Sequence, residues 1–193
     1  MPRTRQLACS RCYLTPPLPE DASDWHAWLS DLRVSLPLGD EAYVQVSIGT
    51  LQKFIEAPGE HCRLFSICRM ADDRHIGRGI LFNLDFINRN GELGLFVGDP
   101  ACWGQGFGRE ATALLLDYAF GLLNLNSIML GTFSYNERAL ACYRKVGFKE
   151  IGRRRQARII GDRKYDCILM DMLAEEFRSL YASRVPGAAE SGA

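Results

Sequence analysis

The sequence predicts a single mixed α/β domain, built on a mostly antiparallel central sheet flanked by helices. Three observations predict it. First, the strand-like stretches "CRLFSICRM", "HIGRGILFNLDFIN" and "GELGLFVGD" are separated only by the short turns "ADDR" and "NRNG", and connections that short join antiparallel neighbours. Second, the glycine-rich segment "WGQGFGRE" leads directly into Ala111, Leu114, Leu115 and Tyr118 at helical spacing. Third, the remaining chain reads as strand, helix and closing hairpin, which supplies helical crossovers in the second half of the sheet.

The elements follow in order. The first dozen residues show no sustained period and are expected to be loose. "RCYLTPPLPEDASDWHAWLSDLRVSLPL" holds a short strand, a proline break and a helix beginning near Pro19 or Glu20, with acidic residues in its first turn and Trp25, Trp28 and Leu29 on one face. In "SIGTLQKFIEAPGEH", Leu51, Phe54 and Ile55 share a helical face and Pro58-Gly59 ends the element. The three-strand meander comes next, then a helix from about Gln105 to Gly121. "SIMLGTFS" reads as a buried strand and "NERALACYRKV" as a helix stopped by Gly147. "FKEIGRRRQARI", the turn "GDRK" and "YDCILMDML" form a hairpin, and "AEEFRSLYASR" adds a last helix. The domain is expected to span residues 1–183, with 184–193 a disordered tail.

Composition narrows the function classes. The chain has 193 residues, 47% of them apolar, with 23 basic and 23 acidic side chains. That suffices for one core and gives no global field favouring nucleic acid or a membrane surface. No apolar run is long enough to span a bilayer, and the N-terminal stretch lacks the apolar core of a secretory signal. The expectation is a soluble cytoplasmic protein. Cys9 and Cys12 form a C-x-x-C, yet Cys62 and Cys68 do not supply a second pair at zinc spacing, and no strand-to-helix context suits a redox motif. The pair is read as chance spacing, the cysteines as small hydrophobes, and no metal is expected.

The glycine segment is the strongest local signal. A P-loop is ruled out because no Lys-Ser/Thr pair follows the glycines. A dinucleotide fingerprint is ruled out because the spacing is G-x-G-x-G, the preceding strand belongs to a meander, and the next strand ends in Gly131-Thr132-Phe133 rather than an acid. The physical logic of an anion cradle survives both exclusions. A helix start offers unsatisfied N–H groups and partial positive charge. Glycines clear the approach, Arg109 adds a full charge, and a pyrophosphate is the natural guest.

One strand downstream stands "SYNERALACYRKVGF", with Asn136, Ala139, Tyr143, Gly147 and Phe148 in the pattern N-x-x-A-x-x-x-Y-x-x-x-G-F. This block, following x-G-x-G-x-G, resembles the GNAT superfamily of acetyl-CoA-dependent N-acetyltransferases over roughly Cys62 to Leu173. "DPACWGQGFGREA" and the closing hairpin look most like the RimJ/RimL-like branch of ribosomal-protein and spermidine acetyltransferases. Many members carry Gln or Arg where Trp103 stands, and that branch often carries an aromatic residue there.

The resemblance implies direct transfer of an acetyl group from acetyl-CoA to a primary amine in a ternary complex, without a metal or a covalent enzyme intermediate. It implies that the backbone of Trp103, Gly104, Gln105, Gly106, Phe107, Gly108 and Arg109 holds the pyrophosphate. Phe96, Val97 and Gly98, where the strand splays from its neighbour at a bulge, would hydrogen-bond the pantetheine amides as an added strand, and Asn136 would bond the same arm. Tyr143 would protonate the departing sulfur, since a phenol can donate and accept; its bland reading is a buried core tyrosine. Glu92 would receive the amine proton, with Asp85 the alternative, and Cys142 should point into the core. The acceptor is a protein or peptide α-amine, ranked slightly first, or a small-molecule amine. The Arg153, Arg154, Arg155 and Arg158 run has three readings: contact with an acidic peptide, contact with the cofactor's 3′-phosphate, or a solvated face. A homodimer stays open, as does the alternative of a non-catalytic acyl-CoA-binding module.

Overall fold

A computed structural model describes residues 3–185. Eight strands form one sheet in the order β1-β2-β3-β4-β5-β6-β8-β7. The chain opens with a hairpin of β1 (Leu7–Ala8) and β2 (Cys12–Thr15), closed by a hydrogen bond from the Cys9 N–H to the Cys12 carbonyl at 2.8 Å. The expectation of a loose first dozen is therefore corrected. Leu7, Cys12 and Leu14 join the main core, but strands of two and four residues are too short to show a period. The C-x-x-C is the turn of this hairpin, and both thiols are free.

Helices α1 (Asp21–Leu29), α2 (Leu32–Ser35) and α3 (Ile48–Glu56) follow. Asp21 is buried at the start of α1, where it accepts hydrogen bonds from Arg3 Nη1 (2.9 Å), Ser66 Oγ (2.6 Å) and the Leu18 N–H (2.9 Å). Burial pushes its carboxyl up, but these donors and the nearby His75 win and hold it below the usual carboxylate range. Asp21, Asp24 and His75 bring ligand-type atoms within 4.8 Å of one another. The donors already on Asp21, with the His75 Nδ1 contact to Asp24 at 2.8 Å, make this cluster a polar lock between α1 and the sheet.

The meander forms as expected: β3 (Arg63–Arg69), β4 (His75–Asp85) and β5 (Asn90–Val97) pair antiparallel. A 3-10 turn at Pro100–Cys102 and α4 (Phe107–Asp117) come next. The helix continues as a π-helical turn, Tyr118–Leu122, so its end agrees with the sequence while its last turn is wider. Strand β6 (Ser127–Phe133), α5 (Glu137–Val146), β7 (Lys149–Ile160), β8 (Arg163–Leu173) and α6 (Ala174–Leu180) complete the order. The larger core lies between the sheet and α4, α5 and α6; a smaller one, with Trp25, Leu51 and Ile55, fills the other face under α1 and α3.

Val185 is buried in the larger core, and the Arg184 N–H donates to Asp117 Oδ2 at 2.6 Å. Ordered chain thus runs past the expected start of the tail; 186–193 lie outside the described residues. No helix among the described residues is long and apolar enough to cross a membrane.

One pairing positions everything that follows. β5 and β6 are the parallel pair of the sheet, and they are in register only at Asn90–Ser127, Gly91–Ile128 and Glu92–Met129. Beyond Glu92 the strands part. The register shift beside this gap lies in β4, between Phe82 and Asp85, where Asn83 has φ +49°.

Candidate active site

The glycine loop closes one end of the gap. Asp99 caps the 3-10 turn by accepting from the Ala101 N–H at 3.0 Å. Gly104 (φ +75°) and Gly106 (φ +86°) then turn the chain through the left-handed region into α4, where an L side chain is strained. Among the described residues, none of the amide N–H groups from Gly104 to Arg109 donates to another protein group. These are the orphan donors of a helix start, aimed outward with the positive end of the helix dipole behind them. Gly108 lies inside α4, and a Cβ there would stand 3.8 Å from Cys142 Sγ, an ordinary contact; its bareness matters to what approaches the helix end.

Sequence reasoning missed Arg11. The β1–β2 turn places its Nε 3.6 Å from where a Gly106 Cβ would sit. Glu110, in the first turn of α4, holds that turn by accepting from Ser10 Oγ (2.6 Å) and the Arg11 N–H (2.8 Å). With the hairpin unrecognised, nothing in the sequence could bring position 11 to position 106.

A cavity of about 500 Å³ runs from this loop between β5, α4 and α5. Every residue expected at the site lines it except Gly98, Gln105 and Glu92. Gly98 donates its N–H to the Ile76 carbonyl at 2.8 Å, and an added Cβ would collide with the Trp28 ring. Its glycine serves close packing of α1, which corrects its reading as a pantetheine donor. Since backbone groups alternate sides along a strand, that bond turns the N–H and C=O of Phe96 and Gly98 toward β4. Those of Leu95 and Val97 face the gap. Leu95 is therefore the strand residue that the sequence reading left out. Gln105 turns away and donates Nε2 to the Ala101 carbonyl. The Trp103 indole N–H donates to the Val97 carbonyl at 2.7 Å.

Tyr143 projects from α5 into the cavity and packs edge-on against Phe148, ring centroids 5.7 Å apart. Its ring is buried, but its hydroxyl has no hydrogen-bond partner among the described residues and is not sealed from the cavity. Burial, with a lesser contribution from neighbouring Cys142, pushes the phenol well above its usual pKa, so it stays protonated at neutral pH. Cys142 lines the same cavity instead of pointing into the core; burial pushes its thiol up as well, which keeps it un-ionised. Asn136 caps α5, accepting from the Ala139 N–H (3.2 Å) and donating to the Pro37 carbonyl (3.3 Å).

Glu92 lies elsewhere. Leu93, Leu95 and Val97 face the larger core, so by strand alternation Glu92 and Phe96 face the α1–α3 side. There Glu92 Oε1 accepts from Asn83 Nδ2 at 2.9 Å. It lines a second hollow, of about 480 Å³, with Asp85, Met129 and Asp171. Asp85 is occupied as a turn cap: it accepts from the Asn88 N–H (2.8 Å), Asn88 Nδ2 (2.7 Å) and the Ile87 N–H (2.9 Å). Those bonds, led by the Asn88 N–H, lower its pKa, which disfavours it as a base. Asp171 was missed. Its register with Met129, itself opposite Glu92, puts the two carboxylates on one row about 10 Å apart across two strand spacings. Burial, then the charge of Glu176, pushes Asp171 up against the opposing pull of Lys149. The signal was a lone acid between the buried Met170 and Met172 of a strand.

The arginine run divides. Arg153 pairs with Asp166 (3.2 Å) and Glu150 (3.5 Å). Arg158 is buried between the rings of Phe133 (4.3 Å) and Tyr43 (4.9 Å) and donates to the Gly39 carbonyl. With the Tyr135 hydroxyl on the Leu36 carbonyl (2.6 Å), it fastens the α2–α3 connection, whose Pro37 and Leu38 line the first cavity.

The family model described as an acetyltransferase (GNAT) domain matches residues 11–149. Among curated relatives, YdaF of Bacillus subtilis (strain 168) is 30% identical over 97 residues, 50% of this chain and 52% of that protein. Spermidine N(1)-acetyltransferase of Escherichia coli (strain K12) is 32% identical over 81 residues, 42% of this chain and 43% of that one. The chain thus spans about half the length of the curated relatives it matches there. A solved chimera of the Vibrio cholerae spermidine N-acetyltransferase SpeG superposes with a TM-score of 0.77 at 25% identity, over 88% of this chain and 99% of that one. With the loop, the gap and the tyrosine in place, the family match completes the assignment: the chain belongs to the GNAT acetyltransferase family.

Proposed function

We propose that this protein transfers the acetyl group of acetyl-CoA to the primary amine of a small, positively charged molecule. The observation that carries the reading is the Tyr143 hydroxyl, without a hydrogen-bond partner among the described residues, in a cavity whose far end is a run of amides likewise unpaired among them. Those amides, from Gly104 to Arg109, suit a pyrophosphate. The gap-facing N–H and C=O of Leu95 and the N–H of Val97, whose carbonyl holds the Trp103 indole, suit the amides of a pantetheine arm laid along β5 as an extra strand. Tyr143 and Glu92 approach the gap from opposite faces of the sheet, so a thioester carbonyl lying in the gap is open to an amine from the α1–α3 side.

The chemistry then balances. The ammonium loses a proton to Glu92, directly or through water, because only the neutral amine carries a lone pair to donate. The nitrogen forms a bond to the carbonyl carbon, and the C–S bond breaks. Sulfur leaves with the electron pair and takes the Tyr143 proton; the second amine proton passes to solvent, from which Tyr143 is reprotonated, and Glu92 releases its proton to solvent before the next turnover. Asp171 and Glu92, on one row and lining one hollow, are two carboxylates suited to an acceptor with a further ammonium. That pair favours a small polyamine-like amine over a peptide α-amine and reverses the order reached from sequence.

The test has two stages. Acetyl-CoA should raise the melting temperature while NAD and ATP do not, because ligand bound only to the folded state stabilises it. Thiol release should then follow on adding amines, with di- and polyamines ahead of peptides and aminosugars. Stabilisation by NAD instead would overturn the family chemistry. Acetyl-CoA binding without thiol release for any amine would leave the acyl-CoA-binding module as the answer.

A further inference from the structure

We propose that Arg138, held on the face of Trp103, is the side-chain cation that receives a phosphate of the cofactor, and that Trp103 is its positioning residue. The inference rests on the acetyl-CoA reading and deepens it. Trp103 immediately precedes the glycine loop, and Arg138 lies in the first turn of α5; both line the cavity. The Arg138 Cζ stands 4.3 Å above the Trp103 ring, so the pair joins the two walls of the cavity beside the unpaired amides. The ring itself is fixed, because its N–H is tied to the Val97 carbonyl at 2.7 Å.

The stacking geometry decides what Arg138 is free to do. A cation–π contact uses the flat face of the guanidinium and leaves the N–H donors on its edge, the fork that grips phosphate oxygens in pairs. Among the described residues Arg138 pairs with no carboxylate, whereas Arg11 is engaged by Glu110 and Arg33 by Asp31. A planar cation held on a fixed ring at the mouth of an amide cradle is organised for an anion before one arrives. The sequence reading gave the loop's side-chain charge to Arg109 and held contact with the 3′-phosphate as one of three readings of the run Arg153, Arg154, Arg155 and Arg158. Arg138 adds a second charge, and Trp103 gains a role in side-chain placement besides its backbone amide.

The test uses the full chain with acetyl-CoA, its 3′-dephospho form, and acetyl-pantetheine, which has no phosphate. Wild type, Arg138→Ala, Arg138→Lys, Trp103→Phe and Trp103→Ala are compared by calorimetric binding and by kcat/KM. Arg138→Ala should weaken acetyl-CoA binding about 10–100-fold, the range of a charge-assisted hydrogen bond, and flatten its dependence on salt. It should leave kcat/KM for acetyl-pantetheine unchanged, a split that a structural role would not produce. Arg138→Lys should recover part of the loss. Trp103→Phe keeps a ring and should lose a few-fold; Trp103→Ala should approach Arg138→Ala. If the deficit of Arg138→Ala disappears with the dephospho form, the contact is to the 3′-phosphate; if it persists, the contact is to the pyrophosphate. Equal losses with acetyl-CoA and acetyl-pantetheine, or wild-type affinity in Arg138→Ala, would overturn the inference alone. Failure of the wild type to bind acetyl-CoA would overturn the cofactor reading and the inference together.

Discussion

Replacing Tyr143 with Phe removes one oxygen and tests the proposed acid directly. The hydroxyl has no hydrogen-bond partner among the described residues, so no core bond is lost and the ring keeps its contact with Phe148. Stability should change by less than about 0.5 kcal/mol, the scale of substitutions that break no named interaction. Acetyl-CoA affinity should hold, because the oxygen is proposed to act only as sulfur departs. The cost should fall on kcat, by about 10²–10⁴-fold for a general acid. Burial keeps the phenol protonated to high pH, so the wild-type rate should show no alkaline loss from this group in the physiological range. Two thioesters sharpen the assay. With acetyl-CoA, whose alkyl thiolate leaves poorly, the deficit should be full; with an aryl thioester of low thiol pKa it should shrink. Thiol release gives the rates and calorimetry the affinity. An equal deficit for both thioesters, or near-normal turnover, refutes the acid role. A large fall in melting temperature would mean that the oxygen was holding the core.

Gly106→Val should weaken acetyl-CoA binding by more than tenfold in a folded protein. A branched residue at φ +86° costs roughly 1–2 kcal/mol, and its Cβ meets only the Arg11 side chain at 3.6 Å or more; unchanged affinity in the calorimeter would dismiss the cradle. Glu92→Gln can keep the bond from Asn83 while losing the base. Its rate should fall at neutral pH and recover as rising pH deprotonates the amine in solution, so parallel profiles for variant and wild type would move the base elsewhere. Asp21→Asn should cost about 3 kcal/mol, as for one partner removed from a buried pair, read from urea melts. Because the folded Asp21 pKa is depressed, its contribution is full above the unfolded value near 3.9 and is lost as pH falls through the folded one. The variant's deficit should therefore shrink in acid, and a deficit constant with pH would assign the loss to packing.

Legibility followed the range over which a residue acts. Strands β3 to β5 were readable because apolar alternation and two tight turns are local. Asn136 and Tyr143 were picked out by their resemblance to a family pattern of fixed spacing, which α5 and its cap carry on one element. β2 was read as a short strand, but its pairing with β1 was not, since a two-residue strand leaves no period, and Arg11 was lost with the hairpin. Gly98 looked like part of a ligand strand, yet what demands its missing side chain is Trp28, an aromatic ring seventy residues earlier in the chain. Cys142 was assigned to the core by its place beside Tyr143, but α5 leans over the cavity far enough to present both. Asp171 could have been noticed as an acid between two buried methionines, Met170 and Met172; only sheet order, with β8 beside β6, sets it on the row of Glu92.

That row bears on the choice of base. Carboxylates on one row give the hollow a negative charge that an arriving ammonium offsets. A cationic acceptor is therefore drawn to the hollow by the same charge that must later accept its proton. Asp85 is the weaker candidate for the base, because three donors hold its oxygens. Asp171 is pushed up by burial and by Glu176, but Met129 and a second strand spacing separate it from the row position of Glu92. Glu92 stands at the last paired position before β5 and β6 part, where the hollow meets the gap. Of the three acids it alone combines an unsaturated carboxylate with a position at the opening toward the proposed thioester. On the proposed reading Asp171 serves acceptor recognition, and Asp171→Asn should raise KM for a diamine more than for a monoamine while leaving the pH profile of kcat in place. A shifted kcat profile with unchanged KM would exchange the roles of Asp171 and Glu92.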